Sequence, residues 1–272
     1  MYEKYFEMKQ TPFARDISPK AMYESPNMRE VLARLGYAAD RQLFAVVTAD
    51  AGCGKSTLIR KFAASLSKDK YILLYLSDSK LTPRWFYKGL LDQLGIESKF
   101  YRGDAKRQLQ KEIEILRGVE GKRVVCVLDE AHLLEKETIE EFRFLLNYRF
   151  DSMSPMALIL VGQTELWNEK LRLKRYAAVR QRIDINCVLT HLDRAETEQY
   201  VCTHLSYAGC TQELFTERAM DELYKASTGI PRVINRICEK SLMYAYQKSQ
   251  KLIDDRAVTF VIEHEMLGGD AN

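Results

Sequence analysis

No stretch of this sequence approaches the roughly 18 consecutive apolar residues that a bilayer-spanning helix needs. The opening Met1-Tyr2-Glu3-Lys4-Tyr5-Phe6 also lacks a signal peptide's order of charge followed by an apolar core. A soluble, cytoplasmic protein with no membrane partner is therefore expected. No C-x-x-C pair occurs among the six cysteines, Cys53, Cys126, Cys187, Cys202, Cys210 and Cys238. Several of them sit inside apolar runs, which argues for buried reduced thiols over zinc ligands or disulfides. A strong excess of one charge is missing too: the net charge of +3 does not by itself identify a nucleic-acid partner. Internal repeats and low-complexity tracts are absent. What remains is a chain of 272 residues, 46% of them hydrophobic, long enough for one large domain or a large and a small one.

The most informative stretch runs from Leu43 to Thr57. An apolar, β-branched run, Leu43-Phe44-Ala45-Val46-Val47-Thr48, ends in the small-residue turn Ala49-Asp50-Ala51-Gly52-Cys53-Gly54, and Lys55-Ser56-Thr57 then opens a segment with helical apolar spacing. This order predicts a strand, a phosphate cradle and a helix. Glycine tolerates positive φ, so the N–H groups around Gly52 and Gly54 can turn inward on an anion, and the start of the helix adds partial positive charge. Residues Asp50 to Thr57 are thereby the expected ATP-binding loop. Lys55 is placed for the β- and γ-phosphates and the Ser56 hydroxyl for Mg2+. Ala49 stands where the G-x-x-x-x-G-K-[ST] pattern has its first glycine, and this is acceptable if Ala49 keeps a negative φ. Cys53 lies inside the loop, where a helix N-terminus favours a thiolate; simple filling of space is the default reading.

A second buried run, Arg123-Val124-Val125-Cys126-Val127-Leu128, leads directly into Asp129-Glu130-Ala131-His132. Two acids after a strand can merely cap a helix. Downstream of a phosphate loop they have the arrangement of a Walker B motif, in which Asp129 holds the Mg2+ shell and Glu130 polarises the attacking water.

Tyr71 to Leu76 and Met156 to Val161 predict further covered strands, and the alternating Ile183 to Leu189 predicts an edge strand. Helices are expected over 27–41, from Pro83 to about Leu94, and over 104–116. Strands alternating with helices require right-handed crossovers and a parallel sheet, with ligand bound beyond the strands' carboxyl ends. Gln163, and secondly Thr164, is the expected polar tip of the fourth strand, the position called sensor 1. The run Leu171 to Arg182 is densely basic. A solvated helix face, contact with DNA phosphates, and an arginine finger reaching a neighbouring subunit's ATP all remain open, with Arg180 or Arg182 as the finger.

From about His191 strands disappear. Helices are expected over 193–207, 216–227, 231–247 and 254–265, a small α-helical lid occupying 191–272 after an α/β domain of 1–190. Gly229 ends one helix and Pro231 opens the next, which fixes Arg232 as a candidate sensor 2 arginine for the γ-phosphate. Residues 1–26 read as irregular, with Pro12 and Pro26 each turning the preceding residue away from helix. Their aromatics Tyr2, Tyr5, Phe6, Phe13 and Tyr23 are assigned to packing on the domain that follows, with adenine stacking as the alternative.

Taken in order, these signals resemble an AAA+ ATPase: an α/β P-loop NTPase with a five-stranded parallel sheet flanked by helices and a small C-terminal α-helical lid. Tyr5-Phe6, Pro12-Phe13, Tyr23, Ser25-Pro26, Leu128-Asp129-Glu130-Ala131-His132, Val161-Gly162-Gln163 and Gly229-Ile230-Pro231-Arg232-Val233-Ile234-Asn235 resemble its ExeA-like branch. That branch includes a secretion-assembly ATPase with a membrane span and a cell-wall-binding region, and compact transposition helpers related to MuB and TnsC. The size of the chain and the absence of a membrane segment point to the helpers. Their resemblance implies ATP hydrolysis, self-assembly into a ring or helical filament on duplex DNA without strong sequence preference, and recruitment of a DDE-type transposase. Lys99, Arg102, Lys106 and Arg107 are the candidate DNA contacts, and a solvated face explains them equally well. A secretion regulator and a nucleotide-gated binding module with little turnover are the alternatives.

Overall fold

The computed structural model describes residues 1–78, 81–146 and 154–266. Among the described residues five strands, β1 (Phe44–Thr48), β2 (Tyr71–Leu76), β3 (Arg123–Leu128), β4 (Ala157–Gly162) and β5 (Ile185–Val188), alternate with helices. The helices are α1 (Tyr2–Tyr5), α2 (Pro26–Arg41), α3 (Lys55–Ser65), α4 (Pro83–Gln93), α5 (Arg102–Gly118), α6 (Lys136–Leu146), α7 (Ala177–Arg180), α8 (Arg194–Tyr207), α9 (Glu217–Ser227), α10 (Pro231–Gln247) and α11 (Asp255–His264). Two compact bodies result. One consists of Arg29–Ala51 and Leu58–Leu189, the other of Met1–Met28, Gly52–Thr57 and Thr190–Asn272, whose residues 267–272 lie outside those described.

The first body is built on one sheet in the order β2-β3-β4-β1-β5, with every neighbouring pair parallel. Parallel strands joined by helical crossovers are covered on both faces, which is why the central runs are apolar without alternation. All residues of β1 and β4 are buried, and β3 is exposed only at Arg123. Burying each such Val, Leu or Ile contributes about 1.5–3 kcal/mol. The edge strands carry the exposed positions, Tyr75 on β2 and Val188 on β5. The fifth strand begins at Ile185 rather than Ile183 because Asp184 is held by Phe44 on both sides: the Phe44 N–H donates to the Asp184 carboxylate at 2.9 Å, and the Asp184 N–H to the Phe44 carbonyl at 2.9 Å. No expectation covers residues 131–146, where a 3-10 turn at Ala131–Leu133 and helix α6 form.

Helix starts in the second body follow local side chains. Asp193 and Glu196 form a reciprocal capping box on α8, Thr216 caps α9, Asp254 caps α11, and Pro231 occupies the first turn of α10. Their apolar faces enclose Val201, Leu205, Leu223, Ile234, Leu242 and Val258. Tyr2, Phe6, Met8 and Phe13 belong to this same core. The N-terminal aromatics therefore pack with the C-terminal helices rather than on the α/β domain next in sequence, and residues 2–5, expected to be irregular, make one helical turn.

Phe13 stacks on His204 with ring centroids 5.4 Å apart, and His204 Nδ1 donates to the Pro12 carbonyl at 2.8 Å. Burial lowers the His204 pKa and the bond to Pro12 opposes this only in part. A folded value below the ordinary histidine value of about 6.5 means that this contribution is complete above pH ~6.5 and is lost as pH falls toward the folded value. Thermal melts taken from about pH 7.5 down to 5 are expected to fall in midpoint for the wild type, and His204→Phe should flatten that fall.

Candidate functional site

The loop that leaves β1 contains the two left-handed residues the sequence requires, Gly52 at φ 86° and Gly54 at φ 94°. Ala49 is outside the left-handed region, fully buried, and donates its N–H to the Gly162 carbonyl at the tip of β4, 3.1 Å away. Alanine is thus compatible with the first position of the loop. Helix α3 starts at Lys55, with Lys55 half-buried and Ser56 exposed in its first turn. Its first N–H groups have no intrahelical acceptor, so this end of an 11-residue helix is suited to an anion. A Cβ on Gly52 would lie 3.0 Å from both the Arg232 Cβ and the Ile230 Cγ2, and the Arg232 N–H donates to the Gly52 carbonyl at 3.3 Å. The arginine named from sequence is therefore in backbone contact with the phosphate loop. The cradle, with a lysine and a hydroxyl at the start of the helix, fits the phosphates of a nucleotide.

Asp129 follows the last residue of β3 and is 7% exposed. The Tyr75 hydroxyl donates to its Oδ2 at 2.9 Å, and the Glu130 N–H to its Oδ1 at 2.8 Å. Burial, then the bond to Asp129 and its charge, push the Tyr75 phenol up to about 12, so it remains a proton donor at neutral pH. Glu130 sits at φ 52°, a left-handed conformation uncommon outside glycine and asparagine, and its carboxylate lies 3.6 Å from His132 Nε2. Gln163 follows β4 directly, and its N–H lies 3.4 Å from His132 Nδ1. Thr164 Oγ1 donates to Asp50 Oδ1 at 3.0 Å.

The basic run is broken rather than continuous: a π-helical turn at Leu166–Leu171, a 3-10 turn at Lys174–Tyr176, and then α7. One nitrogen of Arg180 donates to the Leu171 and Arg172 carbonyls at 3.0 and 2.8 Å, closing the end of the π-helical turn. Arg182 is half-buried two residues on. Of the four candidate DNA contacts, Arg102 and Lys106 pair with the buried Glu141 at 3.3 and 3.2 Å, and Arg107 pairs with Asp104 at 2.5 Å. Lys99 is exposed and its N–H donates to the Gln108 side chain.

Tyr75 and His132 carry contacts to the acid pair that sequence reasoning did not assign. Tyr75 becomes visible only once β2 and β3 are in register, Leu76 opposite Leu128. The histidine stands within the motif itself, where its spacing to the acids is a signal but its orientation is not.

The strand order β2-β3-β4-β1-β5, all parallel, is that of the P-loop NTPase fold. In agreement, residues 38–168 match the family described as AAA domain. The chain is 32% identical over 259 residues to General secretion pathway protein A of Aeromonas hydrophila, covering 93% of the chain and 46% of that protein. It thus spans about half the length of the curated relative it matches. Among solved structures it is similar to the Aeropyrum pernix ORC2 protein in its ADPNP-ADP complexes, with a TM-score of 0.71 at 13% identity over 96% of this chain and 73% of the other. It is also similar to Drosophila ORC bound to DNA, with a TM-score of 0.65 at 18% identity over 98% and 66%. At such identities the likeness is one of fold.

Arg232 depends on the turn before it. Gly229 is at φ 76°, and a Cβ there would be 1.8 Å from the Leu192 carbonyl oxygen. Gly229→Ala is expected to lower stability by at least about 3 kcal/mol in a urea titration, whereas Gly103→Ala, in open space, should be neutral or slightly stabilising.

Proposed function

We propose that the protein is an ATP-hydrolysing AAA+ switch. The observation that carries this reading is the loop between β1 and α3: a fully buried strand, two left-handed glycines, then Lys55 at the first turn of a helix. In this reading the N–H groups of Asp50 to Thr57 hold the phosphates, Lys55 neutralises the β- and γ-phosphates, and Ser56 and Asp129 hold Mg2+. Ser56 and Asp129 would hold the cation there, and its positive charge would offset negative charge on the phosphates. Glu130 accepts the hydrogen bond of the attacking water, Gln163 orients that water, and Arg232 senses the γ-phosphate. Tyr75 and the Glu130 N–H keep Asp129 fixed, so its carboxylate needs little reorganisation to serve the metal.

Arg180 or Arg182 supplies a guanidinium to the nucleotide of the next subunit, and the bonds from Arg180 to the Leu171 and Arg172 carbonyls hold the segment that presents either one. Nucleotide bound between subunits stabilises the assembly, and hydrolysis loosens it. The partner in this reading is duplex DNA, bound through phosphates by Lys99, Arg102, Lys106 and Arg107 with a steep salt dependence, and the bound assembly recruits a DDE-type transposase. Support comes from the basic residues at the start of α5 and from the fold shared with DNA-bound ORC. The 32% identity to General secretion pathway protein A over 93% of the chain favours a second reading, an ATPase of secretion-machinery assembly.

Phosphate release and binding of a fluorescent ATP analogue test the switch. Lys55→Ala should weaken nucleotide binding at least about 100-fold, while Glu130→Gln should bind normally, release phosphate at least about 100-fold more slowly and stay assembled. Identical behaviour of the two variants would refute the assignment. Gel shifts on duplex DNA with and without a non-hydrolysable analogue separate the readings: an ATP-dependent shift lost with rising salt supports the DNA role, and no shift at low salt moves the protein to the secretion role.

A further inference from the structure

Each ring nitrogen of His132 faces a polar group, Nδ1 the Gln163 backbone and Nε2 the Glu130 carboxylate. The Gln163 backbone N–H, 3.4 Å from Nδ1, can only donate, so Nδ1 is the acceptor and the ring proton resides on Nε2. That proton faces Glu130 Oε2 at 3.6 Å, longer than a formed hydrogen bond and in the range from which catalytic contacts tighten in a working complex. The ring has little freedom. Its side chain is 11% exposed, against 41% for Glu130. The Lys170 ammonium donates to the His132 carbonyl and, at 2.8 Å, to the Leu134 carbonyl, clamping the turn. Gly162 at the tip of β4 admits the turn closely: a Cβ there would lie 3.1 Å from the His132 backbone nitrogen.

The freedom of Glu130 lies in its side chain, because its carbonyl accepts from the Leu133 N–H at 2.9 Å. Its N–H is spent on the neighbouring Asp129, and a half-exposed carboxylate on a two-bond stem samples several rotamers. We propose that His132 is the positioning residue of this carboxylate: a rigid imidazole, oriented at Nδ1 by the backbone beyond β4, that holds Glu130 through Nε2–H. A displacement at Gln163 then reaches Glu130 through one ring. The inference rests on the hydrolytic role proposed for Glu130, but the tautomer it requires does not.

Two measurements on the full chain test it. Long-range 15N–1H correlation spectra of histidine-labelled protein at pH 8, with the His132 signals assigned by their loss in His132→Gln, should show the Nε2–H tautomer; an Nδ1–H tautomer overturns the proposal. In steady-state kinetics, His132→Phe should lower kcat about tenfold or more with KM and nucleotide affinity within about twofold, and His132→Gln, which keeps an acceptor and a donor, should recover most of the loss. An active wild type with an unaffected Phe variant, or equal losses for Phe and Gln, overturns the role of His132 alone. A wild type that binds nucleotide and releases no phosphate overturns the hydrolytic reading instead. If His132→Phe fails to fold, the wild-type tautomer and the Gln variant decide.

Discussion

The pairing of β1 with β4 is the constraint on which the candidate site depends. Five parallel residue pairs, Phe44 with Leu158 through Thr48 with Gly162, place the ends of the two strands level, and the Ala49 N–H then continues the ladder onto the Gly162 carbonyl. Gly162 must be small because the turn carrying His132 packs against it. From one register follow the start of the phosphate loop, the place of Gln163, and the approach of the Asp129-Glu130 turn to the tip of β4. A slip by one residue would turn every side chain of β1 to the opposite face, but that strand is apolar on both. The hydrogen bonds at its end, rather than its hydrophobic pattern, therefore fix the register.

Much of this was legible in the sequence because it depends on local rules. The strand bounds Tyr71–Leu76 and Arg123–Leu128 and the helix Pro231–Gln247 follow from apolar runs ending at charged, proline or polar residues, and the structure reproduces them residue for residue. The two left-handed glycines follow from the need for a tight anion-binding turn. What was illegible depends on long-range register or on the fine placement of side chains. The contact of Tyr75 with Asp129 joins residues 54 apart through the β2–β3 pairing. That the aromatics of residues 2–13 choose the C-terminal helices is equally hidden, since an apolar side chain does not announce its partner. A solvated helix face is one of three readings that the basic run 171–182 admits from sequence, whereas Leu171, Tyr176 and Val179 are buried at uneven spacing and the segment forms short turns.

The basic residues of α5 show why charge counted along a sequence differs from charge available at a surface. Glu141 is 4% exposed and accepts from Tyr87 at 2.6 Å, Lys106 at 3.2 Å and Arg102 at 3.3 Å. A buried carboxylate left without such donors would be strongly destabilising, by about 3–5 kcal/mol, so part of the positive charge of Arg102 and Lys106 is committed to the fold. Burial and the neighbouring carboxylate also drive the Tyr87 phenol far above its ordinary range, which keeps it a donor. Arg102 is nonetheless 60% exposed at its side chain, and Arg107 77%. A guanidinium has five donors, so a bond to Glu141 does not exhaust Arg102, whereas Lys106, 23% exposed, is held inward. Any polyanion contact at this face therefore falls chiefly on Lys99, Arg102 and Arg107, and the lysine serves the core.

The relatives constrain function unevenly for a physical reason. A TM-score of 0.71 survives at 13% identity because a doubly covered parallel sheet asks only for apolar runs of the right length and small residues at the strand tips. Partner specificity resides elsewhere, in exposed side chains that the sheet does not constrain. The 32% identity to a secretion protein reaches well beyond what the sheet requires, but it extends over less than half of that protein. Exposed aromatic residues gather on α4, α5 and the loop between them. Trp85, Phe100 and Tyr101 are each at least half exposed there, beside Arg84 and Lys88 stacked on two of those rings at 4.2 and 4.8 Å. Large aromatic and cationic groups left in water at one face are the kind that association uses.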